Sequence, residues 1–266
     1  MRTSLLLSLS VLALAAAPRA QSVYALQGQV ARVIEMTGPS VGPCAYPDGP
    51  LGSSFVYPQP APCVGIGNPV AFVPPAGLPG SLMGDIAVDK QRDVVFVTDG
   101  LSIAAYKAST GAMLGNLNFA FLGIAPPLTG LGFDGSTGFL WMCNVGGYAA
   151  LQPNGTCAPV PQLGFTPAPA GVGPMSDIDV DPTTGQIWVC DAGGFVAHFP
   201  VGAAAPVNII GVAGALPCGV LGVPFTGLCL DTSSPPGTFI VTDGMMCARL
   251  QETGFGAMGA PVARFG

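Results

Sequence analysis

Charge is what this sequence has least of. Lys and Arg together number 8 and Asp and Glu 14 in 266 residues, so charged side chains make up 8%, where roughly a quarter is ordinary for a soluble domain. No basic run occurs, which argues against a nucleic-acid partner, because phosphate binding needs clustered Lys and Arg. Histidine occurs once, at His198, and glutamate twice, at Glu35 and Glu252. With one imidazole and no Cys-x-x-Cys among the eight cysteines, a zinc site is not expected. Any Ser-His-Asp chemistry would have to use His198, and no G-x-S-x-G accompanies it. Beyond the N-terminus, long apolar stretches are interrupted: 111–133 contains Pro126 and Pro127, and 201–230 contains Pro206, Pro217 and Pro224. Neither can form a continuous spanning helix.

The first twenty residues are a different object. Arg2 precedes an apolar run from Leu5 to Ala17, followed by small residues up to Ala20. This is the pattern of a secretory signal peptide, which puts the mature chain, 21–266, outside the cytoplasm. Export into an oxidising compartment favours disulfides. The preferred pair is Cys44 with Cys63, which would staple a Pro- and Gly-rich insertion at about 39–64. Cys143–Cys157, Cys218–Cys229 and Cys190–Cys247 are conceivable from their positions, although eight thiols allow 105 full pairings.

Glycine and proline, 39 and 28 residues, punctuate a repeat. The segments 85–89 (DIAVD), 131–134 (LGFD), 177–181 (DIDVD) and 228–231 (LCLD) each end in Asp, at spacings of 45, 47 and 50 residues. Ten to twelve residues later stands a second Asp or Asn, namely Asp99, Asn144, Asp191 or Asp243, after an apolar run: VVFVT, FLWMC, QIWVC or TFIVT. A third segment follows (104–106, 149–151, 197–199, 248–250). A fourth is nearly literal: APVPQLG at 158–164, APVNIIG at 205–211 and APVARFG at 260–266, with 117–123 a looser version. The mature N-terminus matches from its second strand onward, with 23–28, 31–33 and 68–73 in the second, third and fourth places.

Short runs rich in Val, Ile, Phe, Trp and Thr, bounded by Asp-Gly and Gly-Gly, predict antiparallel strands joined by tight hairpins. Units of about 47 residues with four short strands can bury their apolar faces only against neighbouring units. The expected fold is therefore all-β and β-propeller-like, with about five four-stranded blades. One blade would lack its first strand, because the mature chain starts at strand two and ends at strand four.

Blade segments such as DIAVDKQRDVVFVTDGLSIAAYKASTGAMLG, 85–115, resemble those of NHL and YVTN-type β-propellers, which share features with the SMP-30 and PQQ-like groups. The resemblance covers essentially all of 22–266 and implies a fold rather than a reaction. SMP-30-like lactonases hold a metal with acidic and amide side chains in the central channel, whereas this chain places its two glutamates where the repeat predicts turns. PQQ-like blades carry more tryptophan than Trp141 and Trp188, which occupy the position of Phe96, Ile240 and Tyr24 and read as core between units.

The Asp89, Asp134, Asp181 and Asp231 column could ring a channel, but recurrence at a strand end is what a turn-forming carboxylate produces. The densest acidic cluster, Asp177, Asp179 and Asp181, is the one metal candidate, and Ca²⁺ is the ion that such oxygen ligands would take; no other cofactor is expected. His198 reads as an ordinary strand residue. With few titratable groups to converge, the reading favours a secreted module that binds an unknown protein or small ligand, through one face or through the insertion. A metal-dependent lactonase- or hydrolase-like enzyme is the alternative, and a structural surface-layer role is also compatible with the composition.

Overall fold

The structure, a computed structural model, describes residues 22–27, 32–37, 70–71, 84–153, 160–212, 214–216, 219–221, 223–230, 237–243, 247–252 and 261–265. The proposed leader, the 39–64 insertion with Cys44 and Cys63, and Asp231 lie outside the described residues. The fold is all-β, and the only helical feature among the described residues is a single 3-10 turn at Ala120–Leu122.

The repeat units correspond to separate antiparallel sheets, each with its strands in sequence order. The first sheet has three strands, β1 (Ser22–Gln27), β2 (Arg32–Thr37) and β3 (Val70–Ala71). The second contains β4 (Asp85–Asp89), β5 (Val94–Thr98), β6 (Ile103–Lys107) and β7 (Met113–Leu117). The third contains β8 (Gly130–Asp134), β9 (Phe139–Asn144), β10 (Gly147–Gln152) and β11 (Val160–Pro167). The fourth contains β12 (Met175–Val180), β13 (Ile187–Asp191), β14 (Phe195–Phe199) and β15 (Asn208–Gly211). A small hairpin, β16 (Gly214–Leu216) with β17 (Gly219–Leu221), precedes the fifth sheet. That sheet contains β18 (Gly227–Leu230), β19 (Thr238–Thr242), β20 (Cys247–Gln251) and β21 (Pro261–Phe265).

Two details depart from the sequence reading. The fourth strand of the second sheet is Met113–Leu117, and 117–123 instead runs into the 3-10 turn, closed by Gly123 at φ 75°. The β16–β17 hairpin sits in a connection where no strands were expected.

The core lies between sheets, as units unable to shelter their own faces require. Phe96 and Ala105 of the second sheet pack with Leu131, Leu140 and Met142 of the third. Trp141 and Tyr148 of the third pack with Ile178, Val180 and Phe199 of the fourth. Trp188, Val196 and Ile210 of the fourth pack with Leu228, Phe239 and Val241 of the fifth. Trp141 and Trp188 thus occupy equivalent inter-sheet positions. β5 lies against β8, β9 against β12 and β13 against β18, and β1 lies against β4 in the same way. This second-strand-to-next-first-strand relation supports reading β1 as a second strand. A bulge also recurs between the third and fourth strands, at Ala105/Tyr106, Ala150/Leu151 and Arg249/Leu250.

The two repeating Asp/Asn columns are turn-formers wherever the structure describes their contacts. Asp89 Oδ1 accepts the N–H groups of Gln91 and Arg92, and Asp181 Oδ1 accepts that of Thr183. In the second column, Asp99, Asn144 and Asp191 each accept two backbone N–H groups of the following hairpin. Asp134 accepts the N–H and hydroxyl of Ser136 at 2.8 and 2.6 Å and the hydroxyl of Thr137 at 2.6 Å. Burial alone would raise its pKa, but these bonds hold it below the ordinary carboxylate value. Asp134→Ala should therefore lower stability by about 1–3 kcal/mol in urea unfolding, with Asp134→Asn retaining most of the loss. If the alanine variant were as stable as the parent, the turn role would be wrong.

Candidate functional site

The first strands β4, β8, β12 and β18 lie side by side in chain order. Cross-contacts join residues at matching heights, so the four strands run in the same direction. Along these edges a second set of carboxylates appears, distinct from the turn columns. Asp85 Oδ2 accepts the N–H of Leu131 at 2.5 Å. Asp177 Oδ2 accepts that of Leu228 at 2.5 Å, and Asp179 Oδ2 that of Leu230 at 2.7 Å. In each case a carboxyl from one sheet satisfies an edge amide of the next. An uncovered strand edge exposes unpaired backbone groups, and here acidic side chains cover part of it.

Room for these carboxyls comes from glycine. Near the leading ends of the four strands stand Asp85, Gly130, Asp177 and Gly227, with Asp and Gly alternating. A Cβ on Gly130 would run into the Cα and Oδ1 of Asp177, and one on Gly132 would come within 2.6 Å of the Ile178 carbonyl oxygen. Gly135, in the β8–β9 turn, has nothing within 4 Å of such an atom.

The environment disfavours charge. Burial, then the bonds to Asp177, Leu131 and Ile86, leave Asp85 pushed up to about 6. Burial followed by the charge of Asp85 raises Asp177 well above its ordinary value, and burial pushes Asp179 up to about 7. Cys143 and Cys190, buried beneath, are thiols hydrogen-bonded to Thr129 and Ser176 hydroxyls at 3.4 Å. Burial, and next the charge of Asp177, raises both.

The metal candidate meets this geometry as follows. Asp177 and Asp179 share one face of β12, but their oxygens are engaged by backbone amides, Oδ1 of each by the N–H of the next residue. Asp181 lies beyond the strand, bonded to Thr183 and Thr184. No group of three His, Cys, Asp or Glu residues placed to hold a metal occurs among the described residues.

His198 is more connected than an ordinary strand residue. Its ring is buried and stacks on Trp188 with centroids 4.5 Å apart. Nδ1 lies 2.6 Å from Gln186 Oε1 and Nε2 lies 3.0 Å from Glu252 Oε1, an oxygen that also accepts from Asn208 Nδ2. Glu252 follows β20, so this network ties the fourth sheet to the fifth. The sequence reading placed Glu35 and Glu252 at predicted turns, whereas Glu35 lies within β2 and Glu252 directly follows β20; nothing in the sequence signalled that the Glu252 side chain reaches back 54 residues to His198.

The two ends of the aligned sheets differ in character. At the leading end lie the hairpins between second and third strands and the connections into each next first strand. Leu101 (64% exposed), Val145 (59%), Val223 (56%), Phe121, Phe165 and Phe195 protrude there. At the trailing end lie the turns bearing Lys90, Arg92, Asp93, Asp134, Asp181 and Glu252, with Lys107 at the end of β6. Met113, Leu114, Val201 and Val207 are the large exposed apolar residues described at that end.

The chain matches no known family model, and no curated protein is significantly similar to it in sequence.

The packing yields a direct test. Gly130→Ala should be strongly destabilising, by about 3 kcal/mol or more on the scale of overpacked cores, while Gly135→Ala should change stability by less than about 0.5 kcal/mol. Thermal melts followed by circular dichroism distinguish them, and equal behaviour of the two variants would refute the close approach of β8 to β12.

Proposed function

We propose that the chain is an exported binding module, that its five sheets are the blades of a small β-propeller, and that it engages an apolar partner through the leading end. The ring is supported by the repeated second-to-first-strand contact, the aligned first strands and the inter-sheet cores. Export rests on the N-terminal pattern at 1–20. The observation that carries the binding role is the partition of the loops. Six large apolar side chains protrude at one end, whose described loops contain no Lys or Arg, while Met113, Leu114, Val201 and Val207 at the other end are accompanied by Lys90, Arg92 and Lys107. Clustered exposed apolar residues on rigid loops mark interaction surfaces. A metal-dependent hydrolase is less well supported, because the carboxylates that it would use already accept backbone amides.

Replacing Val145 by a photo-crosslinking residue should capture a specific partner from the medium into which the protein is exported. The same residue at Thr183, in a trailing turn, should not capture it, and Leu101→Ser with Phe195→Ser should abolish the Val145 adduct without lowering the melting temperature by more than about 3 °C. Equal capture from both positions, or an adduct indifferent to the serine changes, would sink the proposal.

A further inference from the structure

We infer that β7 is a docking edge and that its occupant is a second copy of the chain, whose own β7 pairs with it across a two-fold axis. β7 is the outermost strand of the second sheet, paired with β6 alone among the described strands. The bonds of β6 alternate between its two neighbours. The N–H of Lys107 donates to the Ala112 carbonyl, and that of Ala108 donates to the Asp93 carbonyl. Residues 103, 105 and 107 therefore bond towards β7, and Ala104 and Tyr106 towards β5. Asn116 stands opposite Ala104, so its backbone N–H and C=O point away from β6, off the side of the sheet. An edge of this kind is a template for another strand.

Natural sheets protect such edges with short strands, proline or charge, and each of the other outer strands carries a guard. β3 has two residues and follows Pro69, and β11 contains Pro161 and Pro167. β15 has four residues and starts just after Pro206, and β21 contains Pro261 and Arg264. β7 has five residues, MLGNL, with neither proline nor charge. It lies within 108–133, a stretch that holds no Asp, Glu, Lys, Arg or His. The bulge at Ala105/Tyr106 does not set it apart, because β11 and β21 share that bulge. The side chains here are open as well: Met113 is 43% exposed, Leu114 49% and Phe121, in the 3-10 turn beyond, 47%.

A second copy fits this edge on symmetry and on charge. Two identical strands related by a two-fold axis pair antiparallel, the sense in which the sheet is already built, and each contact is made twice. Like charges set opposite each other oppose such pairing, as Arg264 would in β21. In β7 every register sets uncharged residues against uncharged ones. The two sheets would then run on as one, with Met113 and Leu114 of each copy packed beside the junction. The hairpins that carry Leu101, Val145 and Phe195 are different elements, and the variants below leave them unchanged.

Sedimentation velocity of the mature chain tests the pairing. Between about 1 and about 100 μM the parent should pass from monomer to a species of twice the mass. Met113→Lys with Leu114→Lys should raise the dissociation constant at least about tenfold, with the circular-dichroism spectrum unchanged. Val201→Lys with Val207→Lys, at exposed apolar positions off this edge, should leave it at the parental value. Over the same concentrations, exchange of the Asn116 amide in the parent should slow by at least about tenfold. A parent that stays monomeric throughout, or a Met113→Lys, Leu114→Lys variant that dimerises like the parent, overturns the inference. So does a dimer in which Asn116 exchanges at the monomer rate, because the contact then lies elsewhere. Should the double variant not fold, the Asn116 exchange of the parent decides.

Discussion

A sheet that stands alone has a first strand with one bare edge, and the rest of this architecture depends on how that edge is covered. The covering group is a carboxyl from the preceding sheet. Asp85 extends from β4 to an amide of β8, and Asp177 and Asp179 extend from β12 to amides of β18. Because an amide in a buried edge has no water to bond, losing such an acceptor costs the desolvation of the N–H as well as the bond itself. This accompanies a close approach of the first strands, which the alternation of Asp85, Gly130, Asp177 and Gly227 permits. Apolar packing between sheets then fills the volume that this spacing leaves, with Trp141 and Trp188 in successive gaps.

Much of this was legible in the chain. The 45–50-residue period, the strand boundaries, the hairpin positions and the placing of tryptophans between sheets all follow from local patterns that each unit repeats. The turn role of Asp89, Asp134 and Asp181 was legible for the same reason: recurrence in every unit signals a local need. What was not legible is whatever joins one unit to another. Asp85 and Leu131 are 46 residues apart, Asp179 and Leu230 are 51 apart, and no local pattern marks a carboxylate that serves the next sheet. Asp177 and Asp179 consequently looked like metal ligands. His198 and Glu252 illustrate the same limit, since neither has a partner within its own turn. The one available sign was the Asp–Gly alternation, which becomes meaningful only once the first strands are set side by side.

The functional reading uses the same geometry. Aligned first strands force all hairpins of one kind to one end, so the contents of those hairpins become a surface. That surface has no Lys or Arg among its described loops and carries Leu101, Val145 and Phe195 beside the turn-forming Asp99 and Asp191, while the opposite end bears Lys90, Arg92 and Lys107.

The central claim, that carboxyls of one sheet hold the edge amides of another, is tested most directly by residue-resolved amide exchange and NMR shifts. The N–H groups of Leu131, Leu228 and Leu230 should exchange as slowly as those inside the sheets and should resonate downfield, as amides bonded to carboxylates do. Rapid exchange at these three positions, with slow exchange at their strand neighbours, would contradict the account.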